Sequence, residues 1–191
     1  VTATLYVVGP PAVGKSTLVS ALLERYVSAG PVDVGHPPLV VEHLRLVADS
    51  AQPDGVYLGI RRDEFPGTDA LSMGVLPHAE EWAQHAALPP LIVGEGDRLA
   101  HERFLAPLAE RGQLVIVYLA ASPKILAARR LERGSQQNET WATGRATRAR
   151  NVAEAAERRG WDVVKVYASA PADTIAVRVR DELWRRSFPL A

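Results

Sequence analysis

The nine residues Gly9-Pro10-Pro11-Ala12-Val13-Gly14-Lys15-Ser16-Thr17 constrain the fold of this chain more than any other stretch. They match G-x-x-x-x-G-K-S/T in full. They also follow an apolar run, Thr4–Val8, that ends on glycine as a buried parallel strand does. Downstream, Leu18, Leu22, Leu23 and Tyr26 recur at helical spacing, which predicts a helix from Lys15 to about Ala29, stopped by Gly30-Pro31. In a strand–loop–helix of this kind, backbone amides around Gly9, Ala12, Val13 and Gly14 turn inward at the positive end of the helix dipole. There they cradle the phosphates of ATP or GTP. Lys15 is placed to reach the β- and γ-phosphates, and the Ser16 hydroxyl, beside Thr17, to ligate Mg2+. A dinucleotide-binding loop needs glycine where this one has proline, and is rejected.

Apolar strands and amphipathic helices alternate through the rest of the chain. Leu39–Val47 and Val56–Arg61 are β-rich runs separated by Pro-Asp-Gly; they fit a hairpin, or the first fits a helix. His78–Ala87 reads as a short helix, Leu91–Val93 as a buried strand, and Ala100–Arg111 as a helix that Pro107 should shorten or kink. Leu114–Leu119 is a further apolar strand. Pro123–Arg133 follows Ser122, a good N-cap, and Trp141–Arg159 is a second, arginine-rich helix. Trp161–Ala168 and Ala172–Arg186 complete the pattern as strand and helix. The alternation predicts one three-layer α/β/α domain over 1–191, with a mainly parallel five-stranded sheet and a helical lid over about 129–150.

Composition excludes several classes. The chain has no cysteine, which removes disulfides, thiolate metal sites and cysteine nucleophiles. No leader and no apolar run of membrane-spanning length are visible, so a cytoplasmic protein is expected. The net charge is zero but unevenly spread. Residues 1–97 carry 5 Lys+Arg against 12 Asp+Glu, and residues 98–191 carry 17 against 10. Such an asymmetry suits either a cleft whose basic side meets phosphates or solvated helix faces of opposite sign.

Three further segments carry candidate chemistry. In Leu91-Ile92-Val93-Gly94-Glu95-Gly96-Asp97-Arg98, the strand ends where ligands of open α/β sheets bind, so Glu95 and Asp97 lie near the phosphate loop. Asp97 is assigned the Mg2+ role there. Residues 124–150 hold seven Lys+Arg against two acids. Arg129 and Arg133 share one helical face, as do Arg145 and Arg148, and an arginine-rich helical hairpin closing over a triphosphate would stabilise the migrating phosphoryl group. Arg129 and Arg133 are taken as catalytic, with Arg129 also on the nucleotide, and Arg145 and Arg148 as acceptor-binding. Lastly, Arg61-Arg62-Asp63-Glu64-Phe65-Pro66-Gly67-Thr68-Asp69 follows a strand. There Arg61 and Arg62 can hold an acceptor phosphate, Phe65 can stack on a base, and Asp63 or Asp69 can take a proton from an attacking hydroxyl, with Thr68 beside them.

Gly-Glu-Gly-Asp-Arg at the strand end resembles the acid–arginine signature of nucleoside and nucleotide kinases, in which the arginine binds substrate or phosphate, so the resemblance makes Arg98 a candidate for substrate binding. With the phosphate loop and the lid, nearly the whole chain resembles the P-loop kinase superfamily of adenylate, thymidylate and deoxynucleoside kinases. That resemblance implies an ATP- and Mg2+-dependent phosphotransferase acting on a nucleoside, nucleotide or similar small acceptor. It also implies that the Tyr167–Asp173 segment contacts the adenine. Gly-Thr-Asp-Ala-Leu-Ser-Met (67–73), with Trp-x-x-Gly-Arg-x-Thr-Arg (141–148), is similar to bacteriophage P-loop kinases, some of which phosphorylate 5-hydroxymethyluracil in DNA. A DNA acceptor is therefore the leading alternative. A non-kinase ATPase or nucleotide-dependent binding module is the third reading. GTPases need an Asn-Lys-x-Asp guanine reader, which this chain lacks.

Overall fold

A computed structural model describes residues 1–34, 39–46, 54–61, 66–132, 134 and 138–190. Apolar runs long enough to be covered on both faces form the middle of one sheet: β1 (Thr2–Val8), β5 (Leu91–Glu95) and β6 (Gly112–Ala120). β1 pairs in parallel with β5 on one side and β6 on the other. β7 (Asp162–Tyr167) adds in parallel beyond β6, and β4 (Gly55–Leu58) in parallel beyond β5. β3 (Leu39–Leu46) and β2 (Tyr26–Val34) extend that edge antiparallel, giving the order β2-β3-β4-β5-β1-β6-β7.

The five-stranded expectation is corrected to seven strands, and the first helix is shorter than its apolar spacing implied. α1 (Lys15–Leu22) ends at Leu22, and the chain re-enters the sheet at Tyr26. Leu23 and Tyr26 are buried as expected, but against α1 from a turn and a strand. Pro31, read as a helix stop, instead sits in edge strand β2, beside a break in register between Ser28 and Pro31. An edge strand is where a missing N–H is tolerated. The hairpin reading of the two β-rich runs holds, as β3 pairs antiparallel with β4.

Side chains of β1 alternate between two apolar clusters, as a pleated strand requires. Ala3, Leu5 and Val7 pack with Leu18, Leu22, Val179 and Leu183, from α1 and α6 (Ala172–Arg185). Tyr6 and Val8 pack on the other face with Trp82, Phe104, Leu108 and Ala149. Those four come from α2 (Leu76–His85), α3 (Glu102–Arg111) and α5 (Glu139–Arg158). α4 (Pro123–Glu132) begins after Ser122, whose Oγ accepts the Ile125 amide at 3.3 Å, as its N-cap role predicts. Pro107 lies inside α3 without ending it. No helix among the described residues is long and apolar enough to cross a membrane.

After β4 the chain folds back onto the sheet through two glycines. Gly59 (φ 100) and Gly67 (φ 69) both adopt left-handed backbone, and the Gly67 amide donates to the Ile60 carbonyl at 3.0 Å. A methyl group at Gly59 would overlap the carbonyl oxygen of Gly67, and one at Gly67 would lie 2.5 Å from Cγ of Glu95. These glycines let the Thr68–Ala70 turn press against the end of β5. Gly59→Ala is expected to cost about 3 kcal/mol in chemical denaturation, from overlap added to backbone strain. A change below about 0.5 kcal/mol would show that this close approach is not required.

Candidate active site at the carboxyl ends of β1 and β5

From β1 the chain crosses to the far sheet edge, works back to β5, and then continues to β6 on β1's other side. The carboxyl end of β1 is thus a topological switch point, where open α/β sheets bind ligands. Gly9–Gly14 occupies that point. Gly14, in left-handed backbone (φ 102), stands at the N-terminus of α1, so the loop amides face the end of the helix. Gly9 fits because a side chain there would strike the Leu119 backbone of β6. Lys15 Nζ donates to the carbonyls of Gly9 at 2.8 Å and Pro10 at 3.2 Å. Burial lowers the Lys15 pKa, while Asp97, Glu95 and Asp69 act in the opposite sense.

Parallel pairing sets Val7 of β1 opposite Glu95 of β5, and the Gly96 amide donates to the Val7 carbonyl at 3.3 Å. Glu95 is thereby brought under the loop, 2% exposed. Its two oxygens take separate donors: Ser16 Oγ at 2.9 Å and the Tyr57 hydroxyl at 2.7 Å. Burial pushes the Glu95 carboxyl pKa up, against the two hydrogen bonds and Lys15, which lower it. The carboxylate in contact with Ser16 is therefore Glu95, two residues before the assigned Asp97.

Asp97 is also buried, with a different partner. One oxygen pairs with Arg145 at 2.8 Å, and Oδ1 has no hydrogen-bond partner among the described residues. Its amide donates to Asp69 Oδ1 at 3.2 Å. Thr68 supports the wall between them: its hydroxyl donates to the Glu95 carbonyl at 2.7 Å and lies 3.2 Å from the hydroxyl of fully buried Tyr6. Burial raises the Tyr6 pKa well above its ordinary value, so Tyr6 stays a neutral phenol. Arg98 reaches the Met73 sulfur and, at 3.4 Å, the Asp69 carbonyl. Arg61 lies over the Tyr57 ring, 5.4 Å from its centre.

On the other flank, Arg129 donates to the carbonyls of Val13 at 3.0 Å and Ala168 at 3.1 Å. It tethers the phosphate loop to the segment after β7. A cavity of about 140 Å³ opens between them, lined by Ala12, Gly14, Thr17, Leu119, Ala170 and Ile175 among others. Arg145 stacks over Trp141 at 5.2 Å, and Arg148 lies 2.5 Å from Nε2 of His101. The first half of α5 carries these two arginines to the cleft, and α5 also packs on β6, β7 and β1. Of the sequence-selected residues, Arg62, Asp63, Phe65 and Arg133 lie outside the described residues. Tyr6, Tyr57 and His101 went unassigned, because only the fold brings them to the cleft.

The family model described as P-loop Nucleotide Kinase3 matches residues 1–181. Among solved structures, the chain is similar to an unliganded sugar kinase from Janibacter sp. HTCC2649. The TM-score is 0.53 at 11% identity, over 96% of this chain and 95% of that one, which shows a shared fold. Among curated proteins, none matches the chain. The chain belongs to the P-loop nucleotide kinase family, whose members are ATP-binding phosphotransferases.

The Glu95 environment makes a signed prediction. A carboxyl whose folded pKa is raised binds its proton more tightly folded than unfolded. Its ionised form therefore costs stability above the folded pKa, and the cost is relieved as pH falls towards the ordinary glutamate range. Glu95→Gln removes that charge and keeps an acceptor for Tyr57. Its thermal midpoint at neutral pH is expected to exceed wild type by a few degrees, with the gap closing on acidification. A lower midpoint at neutral pH would contradict this account.

Proposed function

We propose that this P-loop nucleotide kinase transfers the γ-phosphoryl group of ATP, with Mg2+, to a hydroxyl of a nucleoside, nucleotide or similar small acceptor. The observation that carries this reading is the convergence at the ends of β1 and β5. Lys15, the Ser16–Glu95 pair and the Asp97–Arg145 pair lie around one cleft mouth.

The residues fit a magnesium ion. Among the described residues no three His, Cys, Asp or Glu side chains gather into a metal cage. A magnesium ion shared with phosphates needs none, since it takes one or two protein groups and keeps waters. Ser16 and Glu95, already in contact, are those groups. When bound, the ion neutralises charge on the β- and γ-phosphoryl oxygens.

This chain's own residues do the rest. The loop amides and Lys15 hold the triphosphate, and the cavity beside Arg129 takes the base, with Ala170 and Ile175 as apolar walls. The acceptor oxygen attacks Pγ, forming the O–Pγ bond as the bond from Pγ to the β,γ-bridging oxygen breaks and ADP leaves. Asp97 Oδ1, buried and without a hydrogen-bond partner among the described residues, takes the hydroxyl proton, while Asp69 orients Asp97 through its backbone amide. Arg145 sits against Asp97, where it can neutralise charge on the migrating group.

The test is transfer of label from ATP to a panel of nucleosides, nucleoside monophosphates, sugars, and unmodified and 5-hydroxymethyluracil DNA. Labelling of a nucleoside or nucleotide, falling at least about 100-fold in Lys15→Ala and in Asp97→Asn, supports the proposal. Labelling confined to DNA assigns the base-modification alternative instead. Full activity in Lys15→Ala would overturn the assignment of the phosphate loop.

A further inference from the structure

We propose that His101 is a positioning residue for this transfer: its neutral imidazole accepts a hydrogen bond from Arg148 and so holds the first half of α5 over the cleft. The inference rests on the phosphotransfer reading above for its consequence, but not for its geometry.

Arg145 and Arg148 lie one helical turn apart and face the same way. Their partners, Asp97 and His101, lie on the single connection between β5 and α3. α5 is thus fastened to that connection at two points. The first is an ion pair with the carboxylate assigned as base, and the second a contact to an imidazole.

His101 occupies the position before α3, where Ser, Thr, Asp or Asn usually caps the helix with its side chain. Its side chain makes no cap bond. Its carbonyl accepts the amides of Phe104 and Leu105, both buried, which anchors the residue while the ring reaches Arg148. A guanidinium offers only donors, so the ring nitrogen facing it must carry a lone pair. Nε2 is therefore the acceptor and Nδ1 carries the proton.

The groups facing the ring are Arg148 from α5, Glu80 from α2, and Arg103 from α3 itself. Burial and the two arginines lower the imidazole pKa; Glu80 opposes them. The contact is complete where the ring is neutral. As pH falls and the ring takes a proton, it sets one cation against another, and the closed arrangement of α5 loses this support.

Two measurements on the full chain test the proposal. The first is nitrogen NMR of the histidine rings, with His101 identified by the signal missing in His101→Gln. The expected result is an Nδ1–H tautomer titrating below the ordinary histidine range and moving up in Arg148→Gln. An Nε2–H tautomer, or a titration that Arg148→Gln leaves in place, would overturn the contact whether or not any acceptor is found.

The second uses ATP and whichever acceptor the panel labels. Gln at position 101 keeps an acceptor for Arg148 but does not titrate. The ratio of wild-type to His101→Gln kcat/KM should be near one at about pH 8 and fall about tenfold by about pH 5. His101→Phe, which has no acceptor, should be down about tenfold throughout. A ratio that stays constant with pH, or a fully active His101→Phe, would refute the positioning role while leaving the kinase reading intact.

Discussion

The parallel pairing of β1 with β5 is the constraint on which the rest of the site depends. Because Val7 stands opposite Glu95, the strand that runs into the phosphate loop also carries a carboxylate to the first hydroxyl of α1. A slip of one residue would turn Glu95 to the other face of the sheet. The register is held by apolar side chains committed to two separate clusters, Leu5 and Val7 to one and Tyr6 and Val8 to the other. The core that stabilises the sheet and the placement of the reacting groups are therefore one packing problem.

That placement carries an electrostatic cost. Glu95 and Asp97 are both nearly sealed from solvent, and Lys15 is desolvated beside them. Buried charge is tolerated when it is hydrogen-bonded or paired. Glu95 has two hydroxyl donors, Lys15 two backbone carbonyls, and Asp97 one arginine. Asp97 Oδ1 has no hydrogen-bond partner among the described residues, and it lies where the acceptor hydroxyl is proposed to enter. Such a centre suits the proposed phosphate and metal charge more than its own stability.

What could be read from the sequence follows how local each determinant is. The phosphate loop, β5, β6, β7 and the helices between them are encoded by neighbouring residues, through glycine, capping and apolar spacing. Edge strand β2 is not. Its first residues continue the helical spacing of α1, and only antiparallel pairing with β3, which sets Tyr26 opposite Leu46, draws Tyr26–Val34 into the sheet. The same distinction separates Asp97 from Glu95. Both stand at a strand end in the sequence, but which one meets Ser16 depends on a register that spans about eighty residues and leaves no local pattern. Tyr57 and His101 were out of reach for the same reason, since their partners, Glu95 and Arg148, lie far along the chain.

The central claim is that Ser16 and Glu95 together form the magnesium–triphosphate end of the site. Calorimetric titration of ATP, with and without Mg2+, into wild type and Glu95→Ala tests it most directly. The account predicts that Mg2+ tightens ATP binding to wild type by about tenfold or more, and that Glu95→Ala loses most of that gain while still binding ATP alone. Equal tightening by Mg2+ in both proteins would contradict it, and would move the metal role away from the carboxylate that the β1–β5 register brings to Ser16.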